Sequence, residues 1–312
     1  MDITGPATGI TATDAAIRVR GLRKVYAGIA AVDGIDLDIA RGETFALIGP
    51  NGAGKSTTVE ILEGYRLRTA GEVSVLGTDP AHGDLDWKAR LGIVLQSATE
   101  SGVYTVREQL AHFAAFYPHP RDVDEVIAAV GLEAKAKTRV AKLSGGQRRR
   151  VDVALGIVGR PELLFLDEPT TGFDPEARRE FWQLIRRLKA EGTTILLTTH
   201  YLDEAAQLGD RAGIILDGRL VDVGRVHELG GREARVPIVR WRDPDGTPRE
   251  ARTERPAELV ASLRQAQDGA VTAQLDDEPD ALEVIRPSLE DIYLQLVHSA
   301  GAETRNDEEA LA

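Results

Sequence analysis

Residues 49–57 read Gly-Pro-Asn-Gly-Ala-Gly-Lys-Ser-Thr, and no other stretch of the chain narrows the possible folds as far. Gly49, Gly54, Lys55 and Ser56 fit the pattern G-x-x-x-x-G-K-[ST]. An apolar run of strand length, Thr44 to Ile48, leads into it, and a helix is predicted from near Lys55. A glycine-rich turn between a buried strand and a helix lets backbone N–H groups approach phosphate oxygens closely. The helix N-terminus then favours the anion. Gly49, Pro50, Asn51, Gly52, Ala53 and Gly54 would form such a cradle. Lys55 would reach the β- and γ-phosphates, the Ser56 hydroxyl would ligate Mg²⁺, and Thr57 would lie beside the α-phosphate. With 31 glycines in 312 residues, chance would produce the string in fewer than about one such chain in a hundred.

The surrounding pattern is that of an α/β chain. Ile17 and Val19, then Ile35, Leu37 and Ile39, alternate with polar residues as strands do. From about Ser97 to Val140 the period becomes helical. Thr105 with Glu108 makes a capping box before a helix over Val106 to Tyr117, and a second helix, Val123 to Val130, ends at Gly131. Strand and helix then alternate: Leu163 to Leu166, a helix over Glu176 to Ala190, Thr194 to Thr199, and Gly213 to Leu216. Apolar strands separated by helices predict a mostly parallel sheet covered on both faces.

The strand Leu163 to Leu166 ends in Asp167-Glu168. Strand ends open beside a phosphate loop, so Asp167 is placed to hold Mg²⁺ through water, which that ion gives up reluctantly. Glu168, one residue on, points elsewhere and is placed to activate an attacking water.

Composition excludes several alternatives. Acidic residues outnumber basic ones, 50 to 38, for a net charge of −12, so the chain lacks the basic excess of a nucleic-acid binder. It contains no cysteine, and therefore no disulfide, thiolate metal site or cysteine nucleophile. A hydrophobic share of 42% supports a buried core, and no apolar run has the length of a membrane span. Met1 to Asp14 lack the apolar stretch of a signal peptide. These features predict a soluble, intracellular globular protein.

Leu143-Ser144-Gly145-Gly146-Gln147 stands directly before a helix over Arg148 to Val158. With the two motifs above, it resembles the nucleotide-binding subunits of ABC transporters. The resemblance covers about residues 17–225. It implies the P-loop NTPase ABC ATPase fold, a mostly parallel sheet core with an antiparallel β subdomain and a helical subdomain at about 97–157. It also implies ATP and Mg²⁺ as cofactors. Further positions match in order: Gln96 as the glutamine that senses Mg²⁺ and the γ-phosphate, Asp174 as the D-loop aspartate, His200 as the γ-phosphate switch, and Tyr26 as the aromatic against adenine. Phe173 stands where many members have leucine. In the family two subunits face head to tail, so Ser144, Gly145, Gly146 and Gln147 of one would cap the nucleotide on Lys55 of the other. The resemblance thus implies a homodimer that hydrolyses ATP, docked near Gln96 by a separate integral-membrane permease at the cytoplasmic face of the cell membrane. The run Arg148-Arg149-Arg150 reads as a solvated face or an intersubunit electrostatic element, and no nucleic acid is expected.

A narrower likeness follows from Ile61 to Asp79, Thr170-Thr171-Gly172-Phe173-Asp174-Pro175 and Leu289-Glu290-Asp291-Ile292-Tyr293, which are similar to drug-exporter ATPases of the daunorubicin-resistance type. It implies export of a drug or antibiotic, with a lipid or polysaccharide as the alternative cargo. Soluble members of the superfamily acting on ribosomes or DNA are the other class, but they carry two modules or long insertions that this chain lacks.

The chain is expected to comprise a disordered tail (1–16), the ATPase domain (17–229), a small α+β domain (230–299) and an acidic tail (300–312). In the small domain a hairpin is expected around Asp245-Gly246, a helix near Ala257 to Gln265, a strand near Val271 to Leu275, and a final helix from Ser288. That helix carries Leu289, Ile292, Tyr293 and Leu296 on one face, with Asp291 as the capping partner of Ser288.

Overall fold

A computed structural model of the chain describes residues 14–95, 103–243, 246–268 and 282–297. It divides into two compact units, Met1–Val226 and His227–Ala312.

The first unit holds two sheets and a set of helices. β1 (Ala15–Tyr26), β2 (Ile29–Ala40) and β4 (Ala70–Val75) form an antiparallel sheet in the order β2-β1-β4, with Ile17 opposite Ile39 and Val19 opposite Leu37. Those alternating residues are buried, as their period requires. The expected tail boundary moves: Ala15 already pairs with Ala40, and Ala16 is buried. The second sheet is formed by β3 (Thr44–Ile48), β5 (Leu91–Val94), β6 (Leu163–Asp167), β7 (Thr194–Thr199), β8 (Arg211–Leu216) and β9 (Arg219–Arg225). Its order is β5-β6-β7-β3-β8-β9, parallel except for the edge strand β9. β3 and β7 are buried at every position, which is why they read as unbroken apolar runs. β4 and β9 carry polar residues and escape a pattern search.

Ile17, Val19, Leu22 and Ile35 of the antiparallel sheet pack with Phe45, Phe165 and Leu196 of the parallel one in a single core. α1 (Lys55–Leu62) contributes Val59, Ile61 and Leu62, and Trp87, on the short helix α2 (Leu85–Lys88), closes it. α3 (Val106–Ala114), α4 (Val123–Ala129) and α5 (Gly145–Ile157) pack on one another. α3 starts at the expected capping box of Thr105 and Glu108 but stops before Tyr117. α6 (Pro175–Ala190) and α7 (Leu202–Leu208) follow β6 and β7.

In the second unit, after the short helix α8 (Gly231–Ala234), β10 (Ile238–Arg242), β11 (Pro248–Arg252) and β12 (Glu283–Ile285) form an antiparallel sheet, β11-β10-β12, with α9 (Pro256–Asp268) packed on β10. The expected hairpin forms with Arg242 opposite Pro248, and Asp245 lies outside the described residues. So does Val271 to Leu275; the third described strand is β12. Residues 289–297 are helical, with Ser288 and Asp291 sharing the expected cap and Ile292 buried.

Candidate functional site

The phosphate loop runs from the end of β3 to the start of α1. Two of its glycines are demanded by close approach: a Cβ on Gly49 would lie 2.4 Å from the Ile215 carbonyl, and one on Gly54 2.4 Å from the Ala31 carbonyl. Gly54 also has φ +103°, a left-handed conformation that side chains resist. Gly52 adopts φ +84° in the same turn, with Pro50 accepting from the Ala53 N–H and Asn51 exposed at its tip.

Lys55 is buried, and its Nζ donates to the carbonyls of Gly49 (2.8 Å) and Pro50 (3.1 Å). Burial pushes its ammonium pKa down, while the charges of Glu168 and Asp167 hold it up. Ser56 and Thr57 follow in the first turn of α1, and the Ser56 hydroxyl lies 3.5 Å from Asp167 Oδ2.

Asp167 and Glu168 stand at the end of β6. The Thr198 hydroxyl of β7 donates to Asp167 Oδ1 and accepts from the Glu168 N–H at 3.2 Å, so one side chain braces both residues. Glu168 is buried and has φ +45°, a rare conformation for a non-glycine residue. His200 follows β7, and its Nδ1 lies 3.1 Å from Glu168 Oε1. The structure therefore brings together Lys55, Ser56, Asp167, Glu168 and His200.

The other candidates have partners of their own. Tyr26 ends β1 partly exposed, with Lys24 Nζ 4.9 Å and the Arg66 guanidinium 5.5 Å from its ring centre. Asp174 caps α6, its carboxylate accepting from the Ala177 N–H at 2.8 Å. Phe173 is buried edge-on against Phe181, so its departure from leucine is accommodated in packing. Ser144 caps α5 in a reciprocal box: its hydroxyl accepts from the Gln147 N–H, and Gln147 Oε1 accepts from the Ser144 N–H. A Cβ on Gly145 or Gly146 would meet nothing within 4 Å. Gln96 lies outside the described residues.

Several groups escaped the sequence reading. Thr198 is one, and the polar Thr-Thr end of an apolar strand was its signal. Arg149 is another: it is not on a solvated face but buried, and burial pulls its pKa down against the charges of Asp152, Asp167, Glu204 and Glu168. Its spacing to Val153 and Ile157, four and eight residues on, marks the inward side of α5. Arg150 instead pairs with Glu180, and Arg148 is exposed. Glu63, after α1, is buried, and burial with Asp167 and Glu60 nearby pushes its carboxyl up to about 8. Among the described residues no group of three or more His, Cys, Asp and Glu side chains could hold a metal alone. None of the described helices is long and apolar enough to cross a membrane.

Residues 32–171 match the family model described as ABC transporter. A daunorubicin/doxorubicin resistance ATP-binding protein of Streptomyces peucetius is 37% identical over 95% of this chain and 96% of its own length. A Nod factor export ATP-binding protein of Rhizobium johnstonii is 41% identical over 72% of this chain and 74% of its own. Among solved structures, cbiO1 from Clostridium perfringens, described as part of the ABC transporter complex cbiONQ, superposes with a TM-score of 0.64 at 25% identity. It covers 82% of this chain and 99% of its own.

Proposed function

Since the chain belongs to the ABC transporter family and is an ATP-binding, ATP-hydrolysing cassette of it, we propose that it powers export through a separate membrane permease by closing with a second copy around ATP. The observation that carries the dimer is the contrast within one chain. The phosphate end is assembled and internally braced, whereas Ser144, Gly145 and Gly146 open outward with their cap already satisfied. Such an exposed helix N-terminus suits the γ-phosphate of a nucleotide held by another copy.

In this reading the Gly49–Gly54 backbone binds the phosphates, and Lys55 leaves its carbonyl partners to neutralise the β- and γ-oxygens. Tyr26 stacks on adenine. Glu168 accepts the proton of the attacking water, and His200, 3.1 Å from it, holds that carboxylate and the γ-phosphate in register. Asp174 and Gln147 act through the loops they cap, at the edges of the shared site. Gln96 links the site to the permease. The hydroxyl of Ser56 and the carboxylate of Asp167, 3.5 Å apart, are hard oxygen donors that fit Mg²⁺ and would hold it, directly or through water. When bound, that ion supplies charge neutralisation on the phosphoryl oxygens. Closure excludes water and strengthens each of these interactions.

An exposed aromatic group supports the permease as partner. Tyr104, Phe113 and Phe116 surround His112 on α3, with ring centres 5.2–6.3 Å from it. Apolar rings with polar edges are typical of the centre of a protein interface. The docked subunit would lie peripherally on the cytoplasmic face of the membrane. The 37% identity to a daunorubicin/doxorubicin resistance protein across nearly the whole chain favours a drug or antibiotic as cargo. The Nod factor export relatives favour a second, non-drug cargo class.

Sedimentation of Glu168→Gln with and without MgATP tests the shared site. Burying nucleotides between chains is expected to shift monomer to dimer by mass action. A nucleotide-bound species that stays monomeric at tens of micromolar (about the concentration at which weak pairs form) would overturn it.

A further inference from the structure

Arg149 is the buried member of three consecutive arginines, and its hydrogen bonds go to main-chain carbonyls rather than to carboxylates. Nε donates to Pro169 at 3.1 Å, and one terminal nitrogen donates to Asp167 at 2.7 Å and Glu168 at 3.4 Å. The other donates to Leu95, the last described residue before Gln96.

Three successive carbonyls can face one guanidinium only where the chain curls tightly. The positive φ of Glu168 supplies that curl. A left-handed glutamate persists only where its surroundings over-determine it. Thr198 holds the N–H of Glu168 from the β7 side, and Arg149 holds the carbonyls on either side from the α5 side. The planar fork suits this task, because a lysine has a single nitrogen to offer.

We propose that Arg149 is a positioning residue for ATP hydrolysis: its guanidinium fixes the main chain around Glu168 and so aims the Glu168 carboxylate, coupling that aim to α5, whose N-terminus is the Ser144–Gly146 segment. This rests on Glu168 being the general base. The nucleotide-binding loop bonds to none of the Arg149 nitrogens, so the effect falls on turnover and not on affinity.

The test uses the full chain with Arg149→Lys, Arg149→Gln and Arg149→Met, each alone and in the Glu168→Gln background. ADP binding is followed by calorimetry, melting by scanning calorimetry, and hydrolysis by single turnover. Arg149→Gln and Arg149→Met are expected to slow turnover about 10–100-fold with ADP affinity unchanged. Arg149→Lys, which keeps the buried charge and a single donor nitrogen, restores part of the rate and carries the test should Arg149→Met fail to fold. In the Glu168→Gln background the same changes are expected to cost less than about twofold, because residues acting as a unit are not additive. Turnover within about twofold of wild type in the single variants overturns the inference, as does a double-variant loss equal to the product of the two single losses. Fast turnover by Glu168→Gln itself overturns the base assignment. Slow Glu168→Gln with fast Arg149 variants overturns only the role of Arg149.

Discussion

Two glycine-bearing helix starts of the first unit, those of α1 and α5, are built on opposite principles. At Gly49–Lys55 the first and last glycines are steric necessities, with the Ile215 and Ala31 carbonyls where a Cβ would go, and the lysine beyond them is buried. At Ser144–Gln147 the glycines border open space, and each polar side chain accepts from the main-chain N–H of the other residue. The first region is finished by its own chain. The second is folded but presents a surface, and its small residues leave the space in front of the helix start open. Absence of side chains therefore means two different things in one molecule: room already taken, and room kept.

The largest expected effect tests the finished region. Glu168→Gln removes a proton acceptor while keeping the shape, and is expected to lower single-turnover hydrolysis about 10²–10⁴-fold with ATP still bound. Near wild-type hydrolysis would place the base elsewhere and leave the braced end of β6 without its chemical purpose.

The glycines give the sharpest contrast. Gly49→Ala pushes a methyl into the Ile215 carbonyl and is expected to destabilise the fold by about 1–3 kcal/mol, seen as a lowered melting temperature. Gly146→Ala lies in the first turn of α5 with no neighbour, so its melting temperature should stay level or rise, by up to about 1 kcal/mol, alanine being the better helix former. Its MgATP-driven dimerisation, measured in the Glu168→Gln background, should nonetheless weaken. Equal melting shifts in the two variants would erase the distinction.

How much of this was legible in the sequence differs between the regions for the same reason. Phosphate loop, strand-end carboxylates and the Leu-Ser-Gly-Gly-Gln segment are contiguous strings, so each announces itself locally. What holds them in place is assembled across the chain. Thr198 braces Asp167 and Glu168 from a neighbouring strand, and Arg149 reaches three loop carbonyls from a helix. Three arginines in a row look alike as letters, and only the turn of α5 sends one inward, one to Glu180 and one to solvent. The edge strands β4 and β9 are faint in the sequence because β4 alternates only over Glu72 to Val75, and β9 is half-buried along most of its length with no clear inward face.

The smallest expected effect concerns charge stored in the finished region. Glu63 is buried at the end of α1, and its carboxyl is pushed up to about 8, first by burial and then by Asp167 and Glu60. The unfolded chain releases this proton near the ordinary glutamate value of 4.5, whereas the folded chain keeps it to about 8. Between those limits the native state binds more protons than the unfolded one, so stability falls as pH rises, by up to about 1.4 kcal/mol per pH unit from this one group. Glu63→Gln keeps the shape and removes the titration. Denaturant unfolding of the nucleotide-free protein at pH 6.5 and 7.5 should therefore show the variant gaining on wild type at the higher pH by up to about that amount. Residues 144–147 contain no ionisable side chain, so Gly146→Ala should track wild type across the same interval. Parallel pH dependences for Glu63→Gln and wild type would mean that this carboxyl titrates normally, and that the phosphate end is braced without the cost of a buried acid.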